Sequence, residues 1–123
     1  RMKFRLAETY VLLAEAYLRQ DMPDKAADAV NEVRRRAKVS DVSDEEMTMD
    51  FLLDERIREL YGEESRRFTL IRTGKLLERV RKYNPEARDL IQDFHVLWPI
   101  PQAIRDANVG NFPQNPGYEG YEG

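Results

Sequence analysis

At 123 residues, 41% hydrophobic and 35% charged, the chain is sized for one domain, and no apolar run is long enough to cross a bilayer as a helix. A formal net charge of -3 argues against a nucleic-acid partner, and the lack of cysteine excludes disulfides, thiolate-bound zinc and thiol catalysis. The charge is uneven: residues 1–83 hold 18 of the 20 Lys+Arg against 17 of the 23 Asp+Glu, and residues 84–123 hold 2 against 6.

The chain opens on Arg1 and is in a helical pattern by about Phe4, without a capping residue or an initiator Met. It is therefore expected to be a piece of a longer protein. In "RLAETYVLLAEAYLRQ", Leu6, Tyr10, Leu13 and Tyr17 recur at the spacing of one helix face, with Ala7 and Ala14 flanking it. A second helix follows, with Ala26, Val30, Val33 and Ala37 as its stripe. Pro23 suits its first turn, and Asp21 or Asp24 its start. So short a connection makes the two helices an antiparallel hairpin. Tyr10-x2-Leu13-Ala14-x2-Tyr17, followed by Ala26-x3-Val30, fits the aromatic, Leu, small and Tyr positions of a tetratricopeptide unit. The small residues in that pattern let two helices cross closely.

Ser43 and Glu46 form a capping box for the next helix. That helix carries Leu53, Ile57 and Leu60 on one face and ends near Gly62. Phe68, Ile71, Leu76, Val80 and Tyr83 continue the apolar pattern, interrupted at Gly74 and stopped at Asn84-Pro85. Beyond it the texture changes. Four of the six prolines and three asparagines fall between Leu97 and Tyr118. Yet the stretch keeps Leu97, Trp98, Ile100, Ile104, Phe112 and Tyr118, which a disordered tail would lack. "DFHVLWPIP" reads as extended chain, "PQAIRDAN" as a short helix, "NFPQNPGY" as turns and "GYEGYEG" as loose.

The expected fold is all-α: tetratricopeptide-like antiparallel helical hairpins with an extended Pro/Asn-rich C-terminal strap. One domain over 1–123 would comprise a hairpin at 1–39, a second at 43–83 and the strap at 84–123. Two hairpins make a thin core. The strap is expected to cover one face, with Trp98 and Phe112 as its anchors. The outer positions Val11, Leu12 and Leu18 of the first helix would remain open, so the fragment is expected to self-associate through residues 4–18.

No residue set points to catalysis, a cofactor or a metal. His95, the single histidine, reads as a structural hydrogen-bonding residue. Glu55, Arg56, Glu59, Arg67 and Arg72 read as a structural ion-pair network. Arginines interleaved with the carboxylates hold them ionised, against a role in acid–base hydrolysis. Trp98 is the candidate ligand-binding residue, since an aromatic plane can stack on a sugar ring.

Three motifs carry a family likeness. "DERIRELYGEESRRFTLIRTGKL", through Glu55, Arg56, Glu59, Leu60, Glu63, Arg67, Phe68, Leu70, Arg72, Gly74 and Lys75, resembles a block of the SusD/RagB family. "LWPIPQAIRDAN" and "QNPGY" resemble that family's carboxyl-terminal motifs, and the likeness covers nearly all of residues 5–118. Thr69 stands where an acidic residue is common, and Ser65 where a glycine often sits. The resemblance implies a non-enzymatic, lipid-anchored outer-membrane protein facing the cell surface. Such a protein binds an oligosaccharide or peptide, mainly through its missing N-terminal part, and delivers it to a SusC-like TonB-dependent transporter. This segment would be scaffold. The alternative is a tetratricopeptide-like adaptor for a protein partner.

Overall fold

A computed structural model of the chain describes residues 5–110 and 112–121. Phe4, Asn111 and the last two residues, which figure in the readings above, lie outside them. Among the described residues every regular element is helical, and no helix is long and apolar enough to cross a membrane. The chain divides into two compact units, residues 1–64 and 65–123. The boundary falls inside the segment expected to form the second hairpin.

The first unit holds α1 (Leu6–Leu18), α2 (Pro23–Arg36) and α3 (Met49–Glu59). Pro23 stands in the first turn of α2, where its missing N–H costs nothing. Met22, rather than either aspartate, is the N-cap of that helix; Asp24 lies in its first turn, and Asp21 takes a left-handed φ of 57° in the turn before it. The seam between α1 and α2 is built from small side chains. Ala7, Val11 and Ala14 are buried on α1, and Ala26, Ala27, Ala29, Val30 and Val33 on α2. This corrects two expectations. The stripe read as inward-facing is so only in part: Leu6 and Leu13 are exposed, while Tyr10 and Tyr17 are half-buried and pack against the core from its edge. Val11, read as an outer position, is 1% exposed. The alanines decide the rotation, because only their face lets the backbones close together, and the large side chains are left as flanks. On α2, Ala37 lies past the helix end and is exposed.

The link after α2 folds under the same core, with Val42 and Met47 buried. Asn31 fixes it: its side-chain amide donates to Val42 O at 3.0 Å, and its Oδ1 accepts from Val42 N at 2.8 Å. The Ser43–Glu46 pair makes both reciprocal bonds, each 3.3 Å. Residues 44–46 nevertheless form only a turn, and Thr48 caps α3, its Oγ1 accepting from Phe51 N at 3.1 Å. Leu52, Leu53 and Leu60 are buried, whereas Ile57 is exposed. The strip Ile57 was expected to share is taken by the ion-paired Glu55 and Arg56.

The second unit holds α4 (Arg66–Arg72), α5 (Leu76–Tyr83), a 3-10 turn (Asp93–Val96) and α6 (Gln102–Asp106). Gly74 turns the chain between α4 and α5 with φ 71°, and Asn84-Pro85 ends α5. Leu70 and Leu76 are buried, but Phe68 and Tyr83 of the predicted stripe are exposed. The first half of "DFHVLWPIP" winds into the 3-10 turn instead of extending; Leu97–Pro101 is the extended part. What orders this region is hydrogen bonding. Gln114, 6% exposed, bonds Ile100 in both directions, accepting from its N–H at 2.7 Å and donating to its O at 2.9 Å. Asn115 donates to Trp98 O at 2.8 Å, and the Tyr118 hydroxyl to Leu97 O at 2.9 Å. "QNPGY" is thus clasped to "LWPIP" by side chains that reach its backbone.

Candidate functional site

Each unit gathers part of the predicted set. In the first, α3 presents Glu55, Arg56 and Glu59 to partners on α1, α2 and the turn after α3. Glu55 Oε2 accepts from Arg34 Nη1 at 2.7 Å and Arg58 Nη1 at 2.9 Å. Glu59 Oε1 accepts from Arg5 Nη1 at 2.9 Å and Arg36 Nη2 at 2.6 Å, and Arg5 Nε reaches Glu63 at 2.6 Å. The hydrogen bonds to Glu63 and Glu59 hold the Arg5 guanidinium above its ordinary pKa. Arg56 is buried between Glu64 and Glu8. The Glu55 and Glu59 carboxylates each accept from two guanidinium groups, which ties α3 to α2 and to Arg5 at the start of α1. Among the described residues no group of His, Asp or Glu is placed to hold a metal ion.

Arg67 belongs to the second unit, where its described partners are not carboxylates. Its Nη2 donates to His95 O, its guanidinium lies 4.4 Å from the centre of the Trp98 ring, and its Nε is buried without an acceptor. Arg72 sits exposed at the end of α4. Trp98 itself is 58% exposed, so it does not anchor the strap by burial, and neither does Phe112, which is also exposed. Gln114, Asn115 and Tyr118 tie the strap to itself through Ile100, Trp98 and Leu97, and Arg67 of α4 and Arg81 of α5 bond it to the helices at His95 O and Asp93. His95 lies in the 3-10 turn and not in extended chain: its Nδ1 accepts from Gln92 N at 2.8 Å, and its ring lies 4.3 Å from that of Phe94.

Trp98, Arg67, His95 and Tyr118 border a hollow of about 420 Å³ whose other walls are Val80, Asn84, Ala87, Leu90, Ile91 and Pro99. Sequence reasoning singled out Trp98 but not the hollow, which the turn at 84–91 creates. In the first unit a groove of about 270 Å³ runs beside Tyr10, Leu13 and Tyr17 of α1 and Lys25, Asp28 and Glu32 of α2.

A family model described as "SusD family" matches residues 1–118. The chain is 36% identical over 112 residues to a SusD-like protein of Formosa agariphila, covering 82% of this chain and 21% of that one. It is 34% identical over 125 residues to the starch-binding protein SusD of Bacteroides thetaiotaomicron, covering 94% and 21%. A further SusD-like protein of Formosa agariphila is 32% identical over 108 residues, with 79% and 20% covered. The chain thus spans about a fifth of the length of these relatives. No solved structure matches it.

Proposed function

This chain belongs to the SusD family, and on that premise we propose that it is the scaffold-bearing part of a surface glycan- or nutrient-binding protein of the outer membrane. The protein is lipid-anchored, binds its ligand without cleaving it, and hands it to a SusC-like TonB-dependent transporter. The observation that carries this reading is the match to the family over residues 1–118. The name of the Bacteroides relative, a starch-binding protein, supports a glycan as ligand. The non-enzymatic role is supported by the geometry of Glu55 and Glu59, whose oxygens are occupied by arginines.

The test uses the full-length protein that contains this segment. It is expected to bind an oligosaccharide in calorimetry, to return it uncleaved, and to co-purify from outer membranes with a TonB-dependent channel. Binding of no glycan or peptide at all would sink the reading. So would hydrolysis that disappears with Glu59→Gln.

One observation favours a second reading. The flank of α1 leaves Leu6, Leu12 and Leu13 exposed beside the groove at Tyr10 and Tyr17, a surface that suits a helical protein partner or a second copy of the chain. A tetratricopeptide-like adaptor would use it. A signal peptide ending at a cysteine, upstream in the full gene product, separates the two readings in favour of the first.

A further inference from the structure

We propose that the hollow beside Trp98 is a binding subsite for a carboxylate-bearing sugar ring, a hexuronate unit of an acidic polysaccharide. This rests on the glycan-binding reading above and departs from it in giving the C-terminal unit a direct part in ligand contact.

The argument is a count of donors and acceptors. Asn84 Oδ1 accepts from the backbone N–H of Glu86 and of Ala87, both at 3.1 Å. His95 Nδ1 is taken by Gln92 N–H at 2.8 Å, which leaves the ring proton on Nε2. The side-chain acceptors of Asn84 and His95 are therefore spent on local backbone. What remains uncommitted at the hollow is a set of donors: the Asn84 amide NH2, His95 Nε2–H and the Trp98 indole N–H. Arg67 adds a positive charge whose described partners are a carbonyl and an indole face. None of the residues bordering the hollow is acidic. A cation and several donors, with no carboxylate to answer them, call for a ligand that brings acceptors and negative charge.

The rest of the lining says what should carry that charge. Val80, Ile91 and Pro99 form apolar walls, and the exposed Trp98 offers a flat surface. These suit the C–H faces of a pyranose ring. A neutral sugar matches the walls poorly in one respect: its hydroxyls need acceptors as well as donors, and the hollow supplies few. A uronate carboxylate needs donors alone. A peptide carboxyl terminus would satisfy the donors too, but it brings no ring for the indole.

Trp98 is the chain's one tryptophan, so its fluorescence reports on this place alone. Trigalacturonate is expected to shift and quench that emission, and maltotriose to leave it unchanged. Raising salt from about 0.05 to 0.5 M should weaken trigalacturonate binding several-fold, since a charge contact is screened. By calorimetry, Trp98→Ala is expected to lower the affinity for trigalacturonate about tenfold, and Arg67→Gln to abolish the preference over maltotriose. The salt arm on the unaltered protein decides the charge argument even if Arg67→Gln fails to fold. Equal response to both sugars, no response of the indole to either, or displacement by a short peptide carboxylate but not by the uronate would each overturn the subsite. In the full-length protein, glycan binding indifferent to Trp98→Ala removes the subsite and leaves the glycan-binding reading intact; loss of both requires that no glycan bind at all.

Discussion

Asn31 and Gln114 do the same thing in two different settings. Each is a buried amide that bonds one distant residue's backbone twice, Asn31 to Val42 and Gln114 to Ile100. Around Asn31 stands an apolar core that includes Val11, Val30, Met47 and Leu52. The second unit has no comparable set: Leu70 and Leu76 are the buried apolar residues described there. In the first unit the amide therefore refines a fold that hydrophobic burial already holds. In the second, hydrogen bonds are a main source of order, and large apolar side chains such as Leu90, Trp98 and Ile104 stay exposed. Both units leave large apolar side chains exposed, but the first unit alone has a buried apolar cluster beneath them.

The strongest way to break this contrast is to put a charge into the first core. Val11→Lys puts an ammonium group into the apolar cluster between α1 and α2, a cost of several kcal/mol. Loss of cooperative unfolding in urea is expected. A folded variant with unchanged urea midpoint would mean that the α1–α2 seam is looser than its burial indicates. Next in size is Arg56→Ala. It strips the buried Glu64 carboxylate of the Arg56 guanidinium, and removal of one partner from a buried pair costs about 3–5 kcal/mol. Arg56→Met, which keeps the apolar stem, should show the same loss if charge and not packing is responsible.

Legibility in the sequence follows the same division. Helical periodicity, Pro23, Gly62, Gly74 and Asn84-Pro85 announced the helices and most of their ends, because those signals are local. The buried face of α1 was misjudged because size was taken for burial. Where Ala7 and Ala14 let helices touch, Val11 is inside and Leu13 is out. The clasp was not legible at all: pairings such as Gln114 with Ile100, fourteen positions apart, have no period. Gly117 could be read only as a turn residue. In the structure it has φ 87°, and an added Cβ would lie 2.3 Å from Phe94 Cγ, so it is also a packing requirement. Trp98 was visible as a candidate, but the spent acceptors that give its hollow a chemical preference were not.

Gln114→Ala sharpens the comparison from the other side. It leaves the N–H and O of Ile100 without the amide that pairs them, and unmet groups of this kind cost about 1–3 kcal/mol. Hydrogen exchange at Ile100 should accelerate while the amides of α1 and α2 keep their protection. Equal acceleration in both places would show that the units do not differ in the way proposed.

The smallest effect belongs to the residue that looks most like an anchor. A tryptophan buried in a core costs about 3–5 kcal/mol on truncation to alanine. Trp98 is 58% exposed, and its backbone O, which Asn115 holds, survives substitution. Loss of the side chain removes its stack on Arg67, worth about 0.5–1 kcal/mol at an exposed site, together with modest apolar contact. Trp98→Ala is therefore expected to cost about 1 kcal/mol of stability by urea unfolding. A loss near 3 kcal/mol would mean that in solution the indole is covered, by a second copy or by a neighbouring segment of a longer protein, and the hollow would then be a packing joint. Dilution separates those two covers: a stability loss that shrinks as the protein is diluted points to a second copy, because only association depends on concentration.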